Sequence, residues 1–129
     1  MKLLLDTHIW IWMRQEPKRL SHRIQQQLQE QANELWLSPV STWEVLLLHA
    51  KGKVKLEVEA NAWVAEAIQG FREAPLTHDI VVISQQLPLP HADPADRFLA
   101  ATAKVLDLTL ITADLKLLGL REITTLANR

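Results

Sequence analysis

The chain has 129 residues, of which 48% are hydrophobic and 22% charged, and these proportions indicate a globular domain rather than a disordered chain or a fibre. It has no cysteine, which excludes disulfides, thiolate metal sites and cysteine nucleophiles. Fourteen Lys and Arg against fifteen Asp and Glu give a formal charge of −1, so bulk charge does not indicate a strongly basic nucleic-acid-binding protein. Because no linker or repeat interrupts the sequence, we predict a single domain over residues 1–129.

The amino-terminal stretch has an apolar run after Lys2, as secretory leaders do. Asp6 and His8 interrupt this run, and no small-residue cleavage site follows it. No segment approaches the roughly 20 apolar residues that a membrane-spanning helix needs. We therefore expect a cytoplasmic protein that does not associate with a membrane.

The remaining sequence alternates between short apolar runs, which predict strands, and segments with helical spacing or capping residues, which predict helices. In chain order we predict a strand at 3–5, a helix at 21–31, a strand at 35–37, helices at 41–51 and 60–70, an edge strand at 74–76, a helix that begins after Thr77, a helix at 93–106, a strand at 108–112, a short helix that begins at Asp114 and a last strand at 122–124. Alternating strands and helices predict an α/β fold with a mainly parallel sheet.

Four acidic residues lie where the predicted strands end or the next helices begin. Asp6 follows the first strand and Asp114 follows the strand at 108–112, while Glu44 and Asp96 fall in the first turns of two predicted helices. In a parallel α/β sheet these positions share one edge, which is also the edge where such folds bind ligands. We therefore expect the four carboxylates to lie near one another.

Each acid also has a purely structural explanation. Glu44 completes a capping box with Ser41, Asp6 and Asp114 are suited to cap helices, and Asp96 favourably opposes a helix dipole. However, Asp96 heads the apolar stripe of its helix, and Glu44 has apolar helical neighbours. A carboxylate that faces a core needs a partner or a metal.

Four adjacent carboxylates repel one another unless a cation balances them. Oxygen ligands favour Mg²⁺ or Mn²⁺ over zinc. A cation of this kind activates water and neutralises phosphate charge, so the pattern is typical of phosphodiester hydrolysis.

The sequence resembles PIN-domain ribonucleases of the VapC toxin type over nearly its whole length. The resemblance rests on four segments, which are LLLDTHIWIW at 3–12, SPVSTWEVLLLHAKGKVKL at 38–56, HADPADRFLAATA at 91–103 and LTLITAD at 108–114. It implies a three-layer α/β/α sandwich, RNA cleavage that depends on Mg²⁺ or Mn²⁺, a VapB-like antitoxin as partner, and a homodimer.

The resemblance also implies roles for the four acids, since Asp6, Glu44, Asp96 and Asp114 match the acidic positions of the family in that order. Asp6 and Asp96 are the expected metal ligands. Glu44 and Asp114 are expected to complete the ligand shell or to orient a water molecule.

Several neighbouring residues have two open interpretations. Asp93 is suited to cap the helix at 93–106, but it lies one turn before Asp96. Thr112 is either an ordinary residue at a strand end or a hydrogen-bond partner of a site carboxylate. His8 and His91 flank the acidic motifs, where each could contact phosphate or hydrogen-bond a carboxylate, or could be an orienting or solvent-exposed histidine. Arg97 could contact phosphate or pair with an acid.

The five tryptophans lie at apolar positions, which favours core or partner contacts over base stacking. Two runs of basic residues are weak candidates for RNA contact because charged runs usually form solvated surface. They consist of Lys51, Lys53 and Lys55, and of Arg14, Lys18, Arg19 and Arg23.

Two other functions remain open. The first is a PIN-like module that binds RNA or protein without catalysis, although the presence of all four acids argues against it. The second is a metal-dependent phosphatase. A phosphatase of the haloacid-dehalogenase type would need an aspartate two positions after Asp6, where this chain has His8.

Overall fold

The computed structural model describes residues 1–90 and 92–129, and their central feature is a sheet of five parallel strands. The strands are β1 (Lys2–Leu5), β2 (Glu34–Leu37), β3 (Arg72–Glu73), β4 (Thr109–Thr112) and β5 (Thr124–Ala127), in the spatial order β3-β2-β1-β4-β5. The helices are α1 (Thr7–Gln15), α2 (His22–Gln29), α3 (Pro39–Ala50), α4 (Ala60–Ala67), α5 (His78–Gln86), α6 (Pro94–Leu106) and α7 (Leu115–Leu118), with a 3₁₀ turn at Pro17–Arg19. All four strand pairings are parallel, which confirms the predicted fold class.

The core lies on both faces of the sheet. In β1, Leu3 and Leu5 pack against the layer formed by α1 to α4, and Leu4 packs against the layer formed by α5 to α7. All three side chains are fully buried. Burial on both faces explains why β1 is a continuous apolar run rather than an alternating one.

Two tryptophans join α1 to α4 in the first layer. Trp10 is fully buried, and its Nε1 donates to the backbone oxygen of Ala67 at 3.0 Å. Its ring meets that of Trp63 edge-on, with the ring centres 5.0 Å apart. The prediction of apolar surroundings is therefore right for these two residues, whereas Trp43 is 52% exposed.

Helix α3 begins earlier than predicted. The Ser38 side chain accepts from the backbone N–H of Val40 at 3.0 Å, and Pro39 occupies the first helical position, where its missing N–H has no cost. Glu44 consequently lies in the second turn rather than the first. The capping-box explanation for Glu44 is wrong for this reason.

The two outer strands also differ from their predicted positions. β3 precedes the predicted strand at 74–76, and the pairing ends where Ala74 N–H donates to the backbone oxygen of Leu37 at 2.9 Å. Pro75 has no N–H with which to continue the ladder. β5 follows the predicted 122–124 because it pairs with the full length of β4, from Thr109 with Thr124 to Thr112 with Ala127.

Two helices are also shorter than predicted. The helix predicted at 21–31 ends at Gln29, and the one predicted at 60–70 ends at Ala67. Gly70 lies beyond it with a φ of 86°, a conformation that other residues rarely adopt.

The strand order places a crevice beside β1. From β1 the sheet continues through β2 to β3 on one side, whereas β4 and then β5 lie on the other side of β1. The segments that follow β1 and β4 therefore separate at this point, which is where open α/β sheets bind ligands. The Asp6 N–H donates to the backbone oxygen of Ile111 at 3.0 Å and so extends the β1–β4 pairing to the crevice.

No helix within residues 1–90 and 92–129 combines the length and the apolar character needed to cross a bilayer.

Candidate active site

Asp6 lies at the carboxyl end of β1 and caps α1. Its Oδ1 accepts from the backbone N–H of Thr7 at 2.7 Å, and its Oδ2 accepts from the hydroxyl of Thr112 at 2.6 Å. The Thr112 hydroxyl also accepts from the backbone N–H of Asp114 at 3.0 Å. The two interpretations of Thr112 are thus resolved, since it holds a site carboxylate and connects the end of β4 to the end of β1.

The buried position of Asp6 opposes its ionisation. The residue is only 9% exposed, and burial raises the pKa of its carboxyl group above the ordinary 3.8. The hydrogen bonds from Thr112 and Thr7 and the nearby His8 lower this pKa, while the Asp114 carboxylate raises it. The site therefore holds Asp6 firmly but leaves its charge without a fully compensating partner.

Asp93 and Asp114 each cap a helix with one carboxylate oxygen. The Oδ1 of Asp93 accepts from the backbone N–H of Asp96 at 2.9 Å, and the Oδ1 of Asp114 accepts from the backbone N–H of Lys116 at 2.8 Å. The predicted capping roles are therefore correct for α6 and α7. Each cap uses only one of the two carboxylate oxygens.

All four predicted acids line one cleft of about 320 Å³, and Asp93 joins them. The cleft is lined by Asp6, His8, Ile9, Trp12, Glu44, Asp93, Asp96, Ala113 and Asp114. No Lys or Arg is among these lining residues. The cleft is thus a concave acidic surface at the point where the strand order reverses.

The carboxylates raise one another's pKa. Burial has the largest effect on Asp96, the charges of Asp93, Asp6, Asp114 and Glu44 follow, and together they raise the pKa of Asp96 from 3.8 to about 7. Burial likewise raises the pKa of Glu44; the nearby Thr7 hydroxyl lowers it and the charges of Asp93 and Asp6 raise it further. These shifts have the sign expected for acids that share a site without a cation.

Sequence reasoning missed one hydrogen bond near Glu44. The Thr7 hydroxyl donates to the Ser41 hydroxyl at 3.0 Å, and both residues are fully buried. This contact joins the start of α1 to Ser41 of α3. Ser41 lies three residues before Glu44 and therefore on the same face of α3. The role of Asp93 is open in the sequence, and its position three residues before Asp96, at the start of α6, is the signal that points to the cluster.

Among the described residues, Arg97 forms no salt bridge with an acid. Its guanidinium donates to the backbone oxygens of Ser84 at 3.0 Å and of Leu87 and Leu89. It therefore holds the segment that leads from α5 to α6 and has a structural role. His91, the other predicted phosphate contact in this region, lies outside the described residues.

The chemistry of the cleft suits a hard divalent cation, since its charged donors are carboxylate oxygens and their mutual repulsion needs a positive counter-charge. Within residues 1–90 and 92–129, no group of three His, Asp or Glu side chains is close enough together to bind a metal ion directly. This arrangement is compatible with Mg²⁺, which keeps several water ligands and needs only one or two direct carboxylates.

The chain is similar to known proteins in both sequence and structure. The model of the PIN domain family matches residues 3–122. Ribonuclease VapC22 of Mycobacterium tuberculosis is 31% identical over 116 residues, which cover 89% of this chain and 88% of that protein.

Two solved structures share the fold. VapBC2 from Rickettsia felis, bound to a DNA fragment from its promoter, has a TM-score of 0.75 at 15% identity and covers 98% of both chains. DNA-bound VapBC from Salmonella typhimurium has a TM-score of 0.74 at 16% identity and covers 100% of this chain and 99% of that one. At these identities the two structures establish a common architecture.

Proposed function

The chain belongs to the PIN-domain family and is of the VapC type, and on this premise we propose that it is a metal-dependent endoribonuclease, the toxin of a toxin–antitoxin pair. The observation that carries the proposal is the single cleft in which the four acids of the family pattern meet at the topological switch point. The named activity of the VapC22 relative supports RNA as the substrate.

Asp6 and Asp96 are the residues that would hold the cation directly, and Glu44 and Asp114 would contact it through water. Mg²⁺ or Mn²⁺ fits this oxygen donor set. When bound, the ion would supply charge neutralisation for the phosphate and an activated water nucleophile.

The protein contributes a rigid arrangement of these acids. Thr7 and Thr112 hold both oxygens of Asp6, and the Thr7–Ser41 contact holds α3 beside α1. His8 is exposed at the cleft, where it can donate a hydrogen bond to a substrate phosphate. Ile9 and Trp12 form an apolar wall beside the carboxylates.

Thr112→Val should lower RNA cleavage about 10- to 100-fold, the usual cost of removing a group that orients a metal ligand. The substitution keeps the shape of the side chain but removes the hydrogen bond to Asp6 Oδ2. Initial cleavage rates at several Mg²⁺ concentrations would measure the effect, and we expect a higher Mg²⁺ requirement. Thr109→Val is the matched control, since Thr109 lies at the opposite end of the same strand; an equal loss in both variants would contradict a positioning role for Thr112.

The proposed activity can be tested directly with purified protein and a labelled single-stranded RNA. We expect internal cleavage with Mg²⁺ or Mn²⁺ and none with excess EDTA. RNA that is bound but never cut would favour the binding module instead. Hydrolysis of p-nitrophenyl phosphate without RNA cleavage would favour a phosphatase.

We further propose that residues 1–129 act as one PIN domain, that the protein forms a homodimer, and that it pairs with a VapB-like antitoxin. The sheet supports a single unit, because β5 near the carboxyl terminus pairs with β4, which pairs with β1 at the amino terminus. The VapBC complexes among the similar structures support the antitoxin. Induced expression should arrest growth, and co-expression of a small neighbouring gene product should relieve the arrest.

A further inference from the structure

A second, basic groove adjoins the acidic cleft. This groove has a volume of about 430 Å³ and is lined in part by Arg19, Lys53 and Lys55. It shares His8 and Trp12 with the acidic cleft, so the two cavities meet along one face of α1. Cations that are far apart in sequence thus line a groove that adjoins the acidic cleft at His8 and Trp12.

The loop that carries the two lysines is fixed to α1. Gln15 Nε2 donates to the backbone oxygen of Lys55 at 3.0 Å, and Gln15 Oε1 accepts from the Glu57 N–H at 3.2 Å. Gly52, with a φ of 73°, allows the chain to turn into this loop after α3. The backbone of the groove is therefore preformed, while the lysine side chains stay exposed.

Arg19 is held by an aromatic ring rather than by an acid alone. Its guanidinium lies 4.3 Å from the centre of a Trp12 ring, and its contact with Glu16 at 3.7 Å is between two largely exposed groups. Exposed pairs of this kind contribute little. Glu16 is the only carboxylate among the described residues that line the groove, which leaves an excess of positive charge.

His8 and Trp12 form an aromatic surface at the junction of the two cavities. Their ring centres are 5.8 Å apart and the rings are tilted by 52°. Aromatic surfaces beside cations are typical of single-stranded nucleic-acid sites, where bases stack and phosphates follow the charge.

We propose that this groove holds the RNA strand on one side of the scissile phosphodiester, with Lys53, Lys55 and Arg19 on flanking phosphates and the His8–Trp12 surface against a base. The inference rests on the proposed ribonuclease function and deepens it. It explains how an acidic cleft in a protein of charge −1 retains a polyanion. An acidic peptide could also contact the cations and the aromatic surface, and the sequence alone favours core or partner contacts for Trp12. The continuity of the groove with the acidic cleft favours RNA, because an RNA strand must extend on either side of the phosphodiester that is cut.

The test compares Lys53→Gln/Lys55→Gln with a control of equal charge change, Lys2→Gln/Lys104→Gln. Lys2 begins β1 and Lys104 lies in the last turn of α6, so both control residues are at the opposite edge of the sheet from the site. Binding of a fluorescein-labelled single-stranded RNA is measured by anisotropy in EDTA, where no cleavage is expected. Loss of two phosphate contacts should weaken binding roughly tenfold at about 0.15 M salt and reduce the salt slope by about 1.4. The control should bind as the wild type does.

A cleavage assay then distinguishes a failure of the groove proposal from a failure of the proposed ribonuclease function. With Mg²⁺, the groove variant should lose roughly tenfold in kcat/KM on RNA but hydrolyse bis(p-nitrophenyl) phosphate, a diester too small to reach the groove, at the wild-type rate. Equal RNA affinity in the groove variant and the control would overturn the groove even if the wild type cleaves RNA. Displacement of RNA by polyglutamate at equal charge concentration would overturn it in favour of an acidic protein segment. A wild type that binds RNA through these lysines but never cuts it would support the groove and contradict the nuclease.

Discussion

Asp6→Asn should abolish metal-dependent RNA cleavage, with a loss of about 10³-fold or more, while the protein remains folded. The carboxylate is the most firmly held of the proposed metal ligands, and its removal takes away charge stabilisation of several kcal/mol in the transition state. Asparagine has nearly the same shape and can still accept from the Thr7 N–H. Because burial already opposes the charge on Asp6, the neutral variant should melt at or above the wild-type temperature in EDTA.

Asp107→Asn is the matched control for this experiment. Asp107 ends α6, at the opposite end of that helix from the cleft, and its φ of 55° is a conformation that asparagine tolerates well. This control should cleave RNA at the wild-type rate. Full activity in Asp6→Asn would falsify the assignment of the metal site. If the variant lost both its activity and its folded state, the melting curve would contradict the prediction that the neutral side chain is tolerated.

The stability of the protein in EDTA should fall as the pH rises from about 4 to 7, and Asp96 should be one source of this fall. The folded protein holds the Asp96 proton up to a pKa of about 7, whereas the unfolded chain releases it near the ordinary 3.8. Stability from the protonated group is therefore fully present below the lower value and is lost as the pH passes the higher one. Urea unfolding at pH 5, 6, 7 and 8 would measure this dependence.

Asp96→Asn should reduce the pH dependence and raise the melting temperature at pH 8. Since Asp96 is partly exposed, solvent screening reduces the effect, and we expect about 1 kcal/mol, or on the order of 3 °C. Mg²⁺ should stabilise the wild type at pH 8 but stabilise the variant much less, because a ligand that binds only the folded state raises its stability. The variant should also lose RNA cleavage. A pH profile identical to that of the wild type would show that Asp96 does not carry the repulsion of the cleft.

The amino-acid pattern was sufficient for the parts of the structure that depend on local chemistry. The apolar run at 3–5, the Asp93–Pro94 helix start and the Asp114 cap are all present in the structure, since each depends on residues that are adjacent in sequence. The edge strand and the last strand were misplaced because their register depends on β2 and β4, which are distant partners. The start of α3 was misplaced because Ser38 and Ser41 are both able to cap a helix, and Pro39 decides between them.

The sequence by itself determined the fold class and the family resemblance. It also predicted that the four acids lie together, because strand ends and the following helix starts in a parallel sheet share an edge. Only the tertiary structure decided what surrounds those acids. It showed that Thr112 holds Asp6, that Asp93 lines the same cleft, and that Arg97 donates to backbone carbonyls.

The net charge of −1 likewise does not reveal where the two basic runs lie in the folded protein. The structure brings Arg19 from one run into the same groove as Lys53 and Lys55 from the other, and this groove adjoins the acidic cleft. Spacing along the chain cannot predict such an arrangement, because it is created by the packing of the loop after α3 against α1, through Gln15.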